Sequence, residues 1–371
     1  MREVERRALE AYRAQFGEDP VVLASAPGRV NLIGEHTDYN EGFVLPCAIG
    51  RRVAVAAGRG EGRLYSTDYA EMRALSDRRE GVWSDYPSGV LWALRDAGAE
   101  ALPFRAAFAG DVPQGAGLSS SAAIEAATGL ALDTLFQLQI PRRKLATLCQ
   151  RAENAFVGVN SGIMDQYASL LCEAGACLLI DCRSLDATSV PLDLSSFRLS
   201  LLVCDTRVER SLAATGYNER RATCEAAARA LGVASLRDAS LDDLQSLSGL
   251  EQQRARHVVT ENMRVLDAVQ ALDRDDFGEF GRLLFASHAS LADDYGVSTQ
   301  ELDRFVAAAA ESGALGARLT GAGFGGSAIA LVPEDRVDSV QATVAEEFTR
   351  CGYRDPVFYT FRPVAGAEIV N

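Results

Sequence analysis

In the opening stretch, MREVERRALEAYRAQF, the apolar residues Val4, Leu9, Tyr12 and Phe16 fall near helical spacing among charges. This pattern predicts a surface helix and not a signal peptide. Two β-rich runs follow in VVLASAPGRVNLIGEHTDYNEGFVLPCAIGRRVAVAAG, and the polar insert between them is assigned to a loop joining strands. Further along, WSDYPSGVLWALRDAG predicts an amphipathic helix, FRAAFAGDVP a strand, and residues 119–137 a long helix. PRRKLATLCQRAENAFVG begins with proline at a favoured first-turn position and ends in glycine, which predicts another helix. GVNSGIMDQYASLL reads as a glycine-bracketed loop entering a helix, and ACLLID as a buried strand.

Near residue 185 the composition turns to Ser, Asp and Pro in RSLDATSVPLDLSSF, which is expected to be a connector between domains 1–185 and 186–371. RLSLLVCD then opens a second unit with at least four helical stretches, a glycine loop and a terminal strand, DPVFYTFRPV. Strands and helices alternate without regular strand-helix-strand units, so the expected class is α+β.

Length supports the two-domain reading, because 371 residues exceed one small core. The 51 acidic residues outweigh 37 basic ones, a formal charge of -14, which argues against nucleic acid or an anionic membrane as partner. No apolar run approaches the length needed to span a bilayer. The eight cysteines form no C-x-x-C pair and sit mostly in apolar runs, so they read as reduced buried thiols that suit the cytoplasm. The composition says nothing of oligomeric state and is compatible with a monomer.

The chemistry concentrates in three loops. GDVPQGAGLSSSAA, residues 110–123, is a Pro/Gly loop ending in three serines and an alanine-rich helix, the form in which a chain presents free amides to a phosphate. Gly115 and Gly117 permit the turns, and Ser119, Ser120 and Ser121 add hydroxyls; an ordinary N-cap is the plainer alternative. A Walker loop needs G-x-x-x-x-G-K-[ST], yet Lys144 is the sole lysine and follows no glycine loop. GAGFGG at 321–326 has dinucleotide spacing but runs into SAIALV, a strand, where that fingerprint requires a helix.

The insert APGRVNLIGEHTDYNEG packs Arg29, Asn31, Glu35, His36, Asp38, Tyr39 and Asn40 into a dozen residues, a density suited to the hydroxyls of a small polyol. Asp165, in NSGIMDQ, is either a helix N-cap or a carboxylate aimed at an attacking hydroxyl. Glu153, on the preceding helix, is either a surface glutamate or a group reaching the serine loop through a magnesium ion.

Together, APGRVNLIGEHTDYNEGFVLP, PQGAGLSSSAA and LTGAGFGGSAIALV resemble the galactokinase branch of the GHMP small-molecule kinases, and the similarity extends over nearly the whole chain. The resemblance implies a two-domain GHMP fold with the active site in the cleft between domains, the late glycine loop on the second. The activity it implies is ATP-dependent phosphorylation of the C1 hydroxyl of α-D-galactose, with Mg2+. Rival readings are kinases for N-acetylgalactosamine, L-arabinose or uronic acids, and a non-catalytic galactose sensor. By position, Asp165 and Arg29 would be catalytic, and Glu35, His36, Thr37, Asp38, Gly162 and Tyr217 would hold the sugar. Gly115, Ala116, Gly117, Leu118, Ser119, Ser120 and Ser121, with Ser66, would bind ATP, while Ser121 and Glu153 would ligate the metal. Ser327 and Gly216 stand where relatives often carry cysteine and glutamate.

Overall fold

The computed structural model describes residues 1–208 and 213–370. In chain order the first half contains α1 (Glu3–Phe16), β1 (Val22–Asn31), β2 (Phe43–Val44), β3 (Pro46–Arg59), β4 (Arg63–Ser66), β5 (Glu71–Ala74), α2 (Asp85–Asp96) and β6 (Phe104–Gly110). It continues through α3 (Ser120–Phe136), α4 (Arg142–Arg151), α5 (Met164–Leu171), β7 (Ala176–Asp181) and β8 (Asp186–Pro191). The second half contains β9 (Leu199–Asp205), α6 (Ala213–Leu231), α7 (Gly249–Asp273), α8 (Phe277–Ser290), α9 (Gln300–Glu311) and β10 (Gly316–Thr320). It ends with β11 (Ser327–Pro333), α10 (Val337–Cys351), β12 (Val357–Phe361) and β13 (Glu368–Ile369).

The α+β expectation holds. A six-stranded sheet, ordered β13-β1-β3-β6-β4-β5, is antiparallel except for the β4–β6 pair. Strand β3 reads as an almost unbroken apolar run because both faces are covered. Ala54 and Ala56 meet Val4, Ala8 and Tyr12 of α1, while Val55 and Ala57 face the core beneath the following helices. Of the predicted α1 stripe, Val4 and Tyr12 are buried, but Ala8 and Glu5 take the inward positions beside them and Leu9 is half-buried.

A four-stranded antiparallel sheet, β10-β11-β9-β12, forms the second layer. One apolar cluster joins the two sheets, running from Leu32 and Ile33 through Ala116 and Leu118 to Val203, Phe280 and Ile329. The serine loop and the polar insert therefore stand on shared core, which fixes the cleft walls relative to each other.

The segment expected to be a connector differs from that reading. Residues 186–191 form β8, which pairs with β7 along its length in a three-stranded sheet with β2. DATSVP exposes most of its side chains, so its polarity mimics a linker although its backbone is paired along one edge. Residue 185 lies in the turn of this hairpin, and β13 returns from the far end of the chain to pair with β1. We propose that the units divide between β8 and β9.

Candidate active site

The serine loop joins β6 to α3, and Gly115 and Gly117 both hold left-handed φ, 75° and 79°. Between them Ala116 turns its side chain into the core, so the glycines line the cleft while the alanine anchors the loop. Its carbonyl accepts a hydrogen bond from Ser327 Oγ at 2.7 Å, and the Leu118 carbonyl accepts from the Arg29 amide at 3.0 Å. Gly28 is required by this approach, since a Cβ there would lie 2.4 Å from the Leu118 oxygen.

Ser119 precedes α3 in a left-handed conformation, φ 60°, and caps nothing with its side chain. Its hydroxyl instead donates to Asp165 Oδ2 at 2.6 Å. Strain of this kind persists only where surroundings hold it. Asp165 sits in the first turn of α5, one residue past Ile163 and Met164, and it is not that helix's N-cap. Arg29 reaches across from β1, with Nε 2.7 Å from Asp165 Oδ1, while its Nη1 donates to the Gly117 carbonyl at 2.8 Å. An acid, a guanidinium and the serine loop thus converge on one point.

Glu153 is buried, not the surface glutamate its isolated position suggested. Helix α4 widens after Arg151 into a π-helical turn, residues 152–157, which rotates Glu153 toward the cleft. Its Oε2 accepts from Ser161 Oγ at 2.5 Å and Gln166 Nε2 at 2.9 Å. Burial pushes its carboxyl pKa up, against hydrogen bonds from Ser161, Gln166 and Ser121 that pull it down. Ser121 and Glu153 present hard oxygen donors side by side, and no group of three or more His, Cys, Asp or Glu able to hold a metal occurs among the described residues. That donor set fits Mg2+, which keeps few protein ligands and takes the rest from phosphate and water.

The polar insert divides its residues between the cleft and its own support. Asp38 faces the cleft, and its carboxylate packs so closely on Gly162 that a Cβ there would fall 1.7 Å from Oδ2. Burial, then the nearby Asp165 charge, raises the Asp38 pKa to about 6. His36 is pushed down to about 3, first by burial and then by His257, and is neutral. Its Nε2 lies 3.1 Å from the Ala322 carbonyl, which can only accept, so Nδ1 accepts from Tyr39 Oη at 2.8 Å. The ring also packs 5.7 Å from Tyr217, which lines the same cleft from α6.

Thr37, which the resemblance assigned to the sugar, turns its side chain away from the cleft. It is fully buried, with Oγ1 2.8 Å from the Gly34 carbonyl and 2.6 Å from that of Phe43. A hydroxyl so placed spends its proton on closing its own loop. Glu35 does line the cleft, yet its carboxylate is engaged by Asn31 Nδ2 at 2.9 Å, the Gly321 amide at 2.8 Å and the Arg318 guanidinium.

These groups surround a cavity of about 580 Å³, within the range of small-ligand sites. A second cavity of about 280 Å³ adjoins it along Gly115, Ser120 and Ser121. Ser66 lines this side cavity, as do Tyr69 and Trp83, whose rings stack at 6.3 Å and 10°. Sequence reasoning missed Tyr69, Trp83 and Arg79 as lining residues, the last a cation at the cleft edge. An aromatic just past the end of β4 and another just before α2 were the available signal for the first two. Nothing local marks Arg79.

The late glycine loop lies between β10 and β11, strand to strand, which removes the dinucleotide reading. Gly321 and Ala322 reach the cleft. Gly216 packs against the ring of Phe324 in this loop, where any Cβ would fall 2.5 Å from the ring.

Family comparisons agree with this geometry. Residues 10–59 match the galactokinase galactose-binding signature, residues 85–173 the GHMP kinase N-terminal domain, and residues 268–350 the GHMP kinase C-terminal domain. Mevalonate kinase shares the fold at a TM-score of 0.68 and 18% identity. Fold and site therefore define a two-domain GHMP kinase, an enzyme that phosphorylates small molecules. The chain is 47% identical to a galactokinase of Streptomyces coelicolor over 97% of each chain, and 43% identical to one of Roseiflexus sp. over 96% of this chain and 95% of that one. A Lactococcus lactis galactokinase solved with galactose superposes with a TM-score of 0.91 at 36% identity, covering 97% and 98% of the two chains. This chain belongs to the galactokinase family.

Proposed function

We propose that the enzyme transfers the γ-phosphoryl group of ATP to the C1 hydroxyl of α-D-galactose, yielding galactose 1-phosphate and ADP. The observation that carries this reading is Asp165, held between Arg29 and Ser119 where the sugar loop meets the serine loop. The triphosphate lies along the amides of residues 115–121 at the start of α3, where unpaired N–H groups and the helix dipole favour anions. The base occupies the side cavity beside Ser66, Tyr69 and Trp83. Asp38, His36, Gly162 and Tyr217 surround the hexose.

Asp165 orients the attacking hydroxyl and receives its proton, and Arg29 offsets the negative charge that develops beside it. Ser121 and Glu153 would hold Mg2+, which would supply positive charge to offset that of the phosphate oxygens. Most of the rate then comes from alignment and charge neutralisation, as a loose phosphoryl-transfer transition state requires.

Reduced, mostly buried cysteines accord with a cytoplasmic enzyme. No described helix is long and apolar enough to cross a membrane. The intact serine loop and the assembled Asp165 pair favour catalysis over a sensor role. An ADP-release assay with galactose, N-acetylgalactosamine, L-arabinose and galacturonic acid tests the reading. Galactose is expected to be preferred; no ADP release with any sugar would leave a sensor, and preference for another sugar would reassign the substrate.

A further inference from the structure

Glu35 lines the sugar end of the cleft, but its position is not set by its own loop alone. Arg318, on the central residue of β10 in the second unit, is fully buried. Its Nη2 pairs with Glu35 Oε2 and stands 3.7 Å from Glu261 Oε1 of α7. Its Nη1 donates to the carbonyl of Leu32 at 3.0 Å and approaches that of Asn31 at 3.3 Å. Glu261 completes the grip from the other side. It accepts from the Gly34 amide at 2.9 Å, Ser287 Oγ at 2.5 Å and Arg264 Nε at 2.7 Å.

The segment 31–35 is thus held at two carbonyls, one amide and one carboxylate by a pair of side chains from the opposite unit. Buried ion pairs seldom add net stability over apolar packing, so their retention calls for a reason of position or specificity. Here the pair aims one acid. With Asn31 and the Gly321 amide filling other lone pairs of the Glu35 carboxylate, Arg318 decides its rotation and depth.

We propose that Arg318, backed by Glu261, is a positioning residue for sugar recognition: it acts through Glu35 and sets the affinity for the hexose without serving the nucleotide. The inference rests on the galactokinase reading above. The serine loop is tied instead by Ser327 Oγ and the Arg29 amide, contacts in which neither Arg318 nor Glu261 takes part, so the larger effect of a change at Arg318 is expected at the sugar end.

The test is a double-mutant cycle of R318M with E35Q, reading the KM for galactose and for ATP separately. R318M is expected to raise the galactose KM by about 100-fold, the scale of an ångström misplacement, while the ATP KM moves less than about threefold. In the E35Q background the same change adds less than about threefold, because the group it aims is already neutral. R318K, which keeps the charge but not the fork, sits between wild type and R318M, and carries the cycle if R318M does not fold. A galactose KM within about threefold of wild type in R318M, equal rises in both KM values, or full multiplication of the two effects overturns the inference while galactokinase activity stands. A wild-type chain that phosphorylates none of the sugars overturns the underlying reading and this inference with it.

Discussion

Replacing Gly162 by alanine tests the sugar end of the cleft most directly. The added carbon would lie 1.7 Å from Asp38 Oδ2 and 2.3 Å from its Cγ, whereas real contacts of this kind do not fall below 3.0 Å. The carboxylate must therefore retreat by about 1.3 Å, or the 158–163 loop must lift by the same amount. Misplacement of about 1 Å in a binding constellation costs about 100-fold in rate, or about 2.7 kcal/mol at about 1.36 kcal/mol per factor of ten. The loss should appear in kcat/KM for galactose, measured by coupled ADP release at saturating ATP. The circular dichroism spectrum should not change, and the ATP KM should stay constant if the carboxylate retreats but rise if the loop lifts, because Ser161 of that loop bonds Glu153. If G162A kept kcat/KM for galactose within about threefold of wild type, the contact between Asp38 and Gly162 would have no part in sugar binding.

Four further outcomes follow from the same geometry. D165N should lower kcat by about 100-fold to 10,000-fold with nucleotide binding retained in a titration; near-normal turnover would remove Asp165 from the chemistry. Because Asp38 carries a pKa near 6 in the free enzyme, it is ionised above that value, so kcat/KM for galactose should fall tenfold per pH unit below about 6. A flat profile between about pH 5 and about pH 8 would contradict this, and D38N should abolish the low-pH limb. W83A should raise the ATP KM about tenfold through lost stacking in the side cavity while leaving the galactose KM unchanged; the converse pattern would place the base elsewhere. E153Q should weaken the apparent Mg2+ affinity by about tenfold or more in a magnesium titration, and an unaltered titration would exclude Glu153 as a ligand.

Much of this arrangement is legible in the sequence because it is local. The serine loop announces its helix start through Gly115, Gly117 and three serines, and strand-loop-strand around 321–326 follows from the apolar run after Gly326. What sequence cannot display is the pairing of distant side chains. Asp165 looks like an N-cap until Arg29, 136 positions earlier, is folded against it. Thr37 shares the polar density of its neighbours, yet the turn closing on Phe43 folds it inward. Glu153 turns into the cleft through a π-helical turn that no residue pattern predicts. Arg318 reads as one more charge in a strand until its partners arrive from the polar insert and from α7.

The return of β13 to the first sheet bears on how the polypeptide acquires its shape during synthesis. Strand β1, which carries Arg29, pairs on one side with β3 and on the other with residues 368 and 369. Buried Arg52 donates to the carbonyls of Ala365 and Gly366, so until that stretch is in place those donors depend on water. The first sheet therefore gains its last partners only when that stretch arrives, and removing residues 365–370 should loosen the strand that bears Arg29.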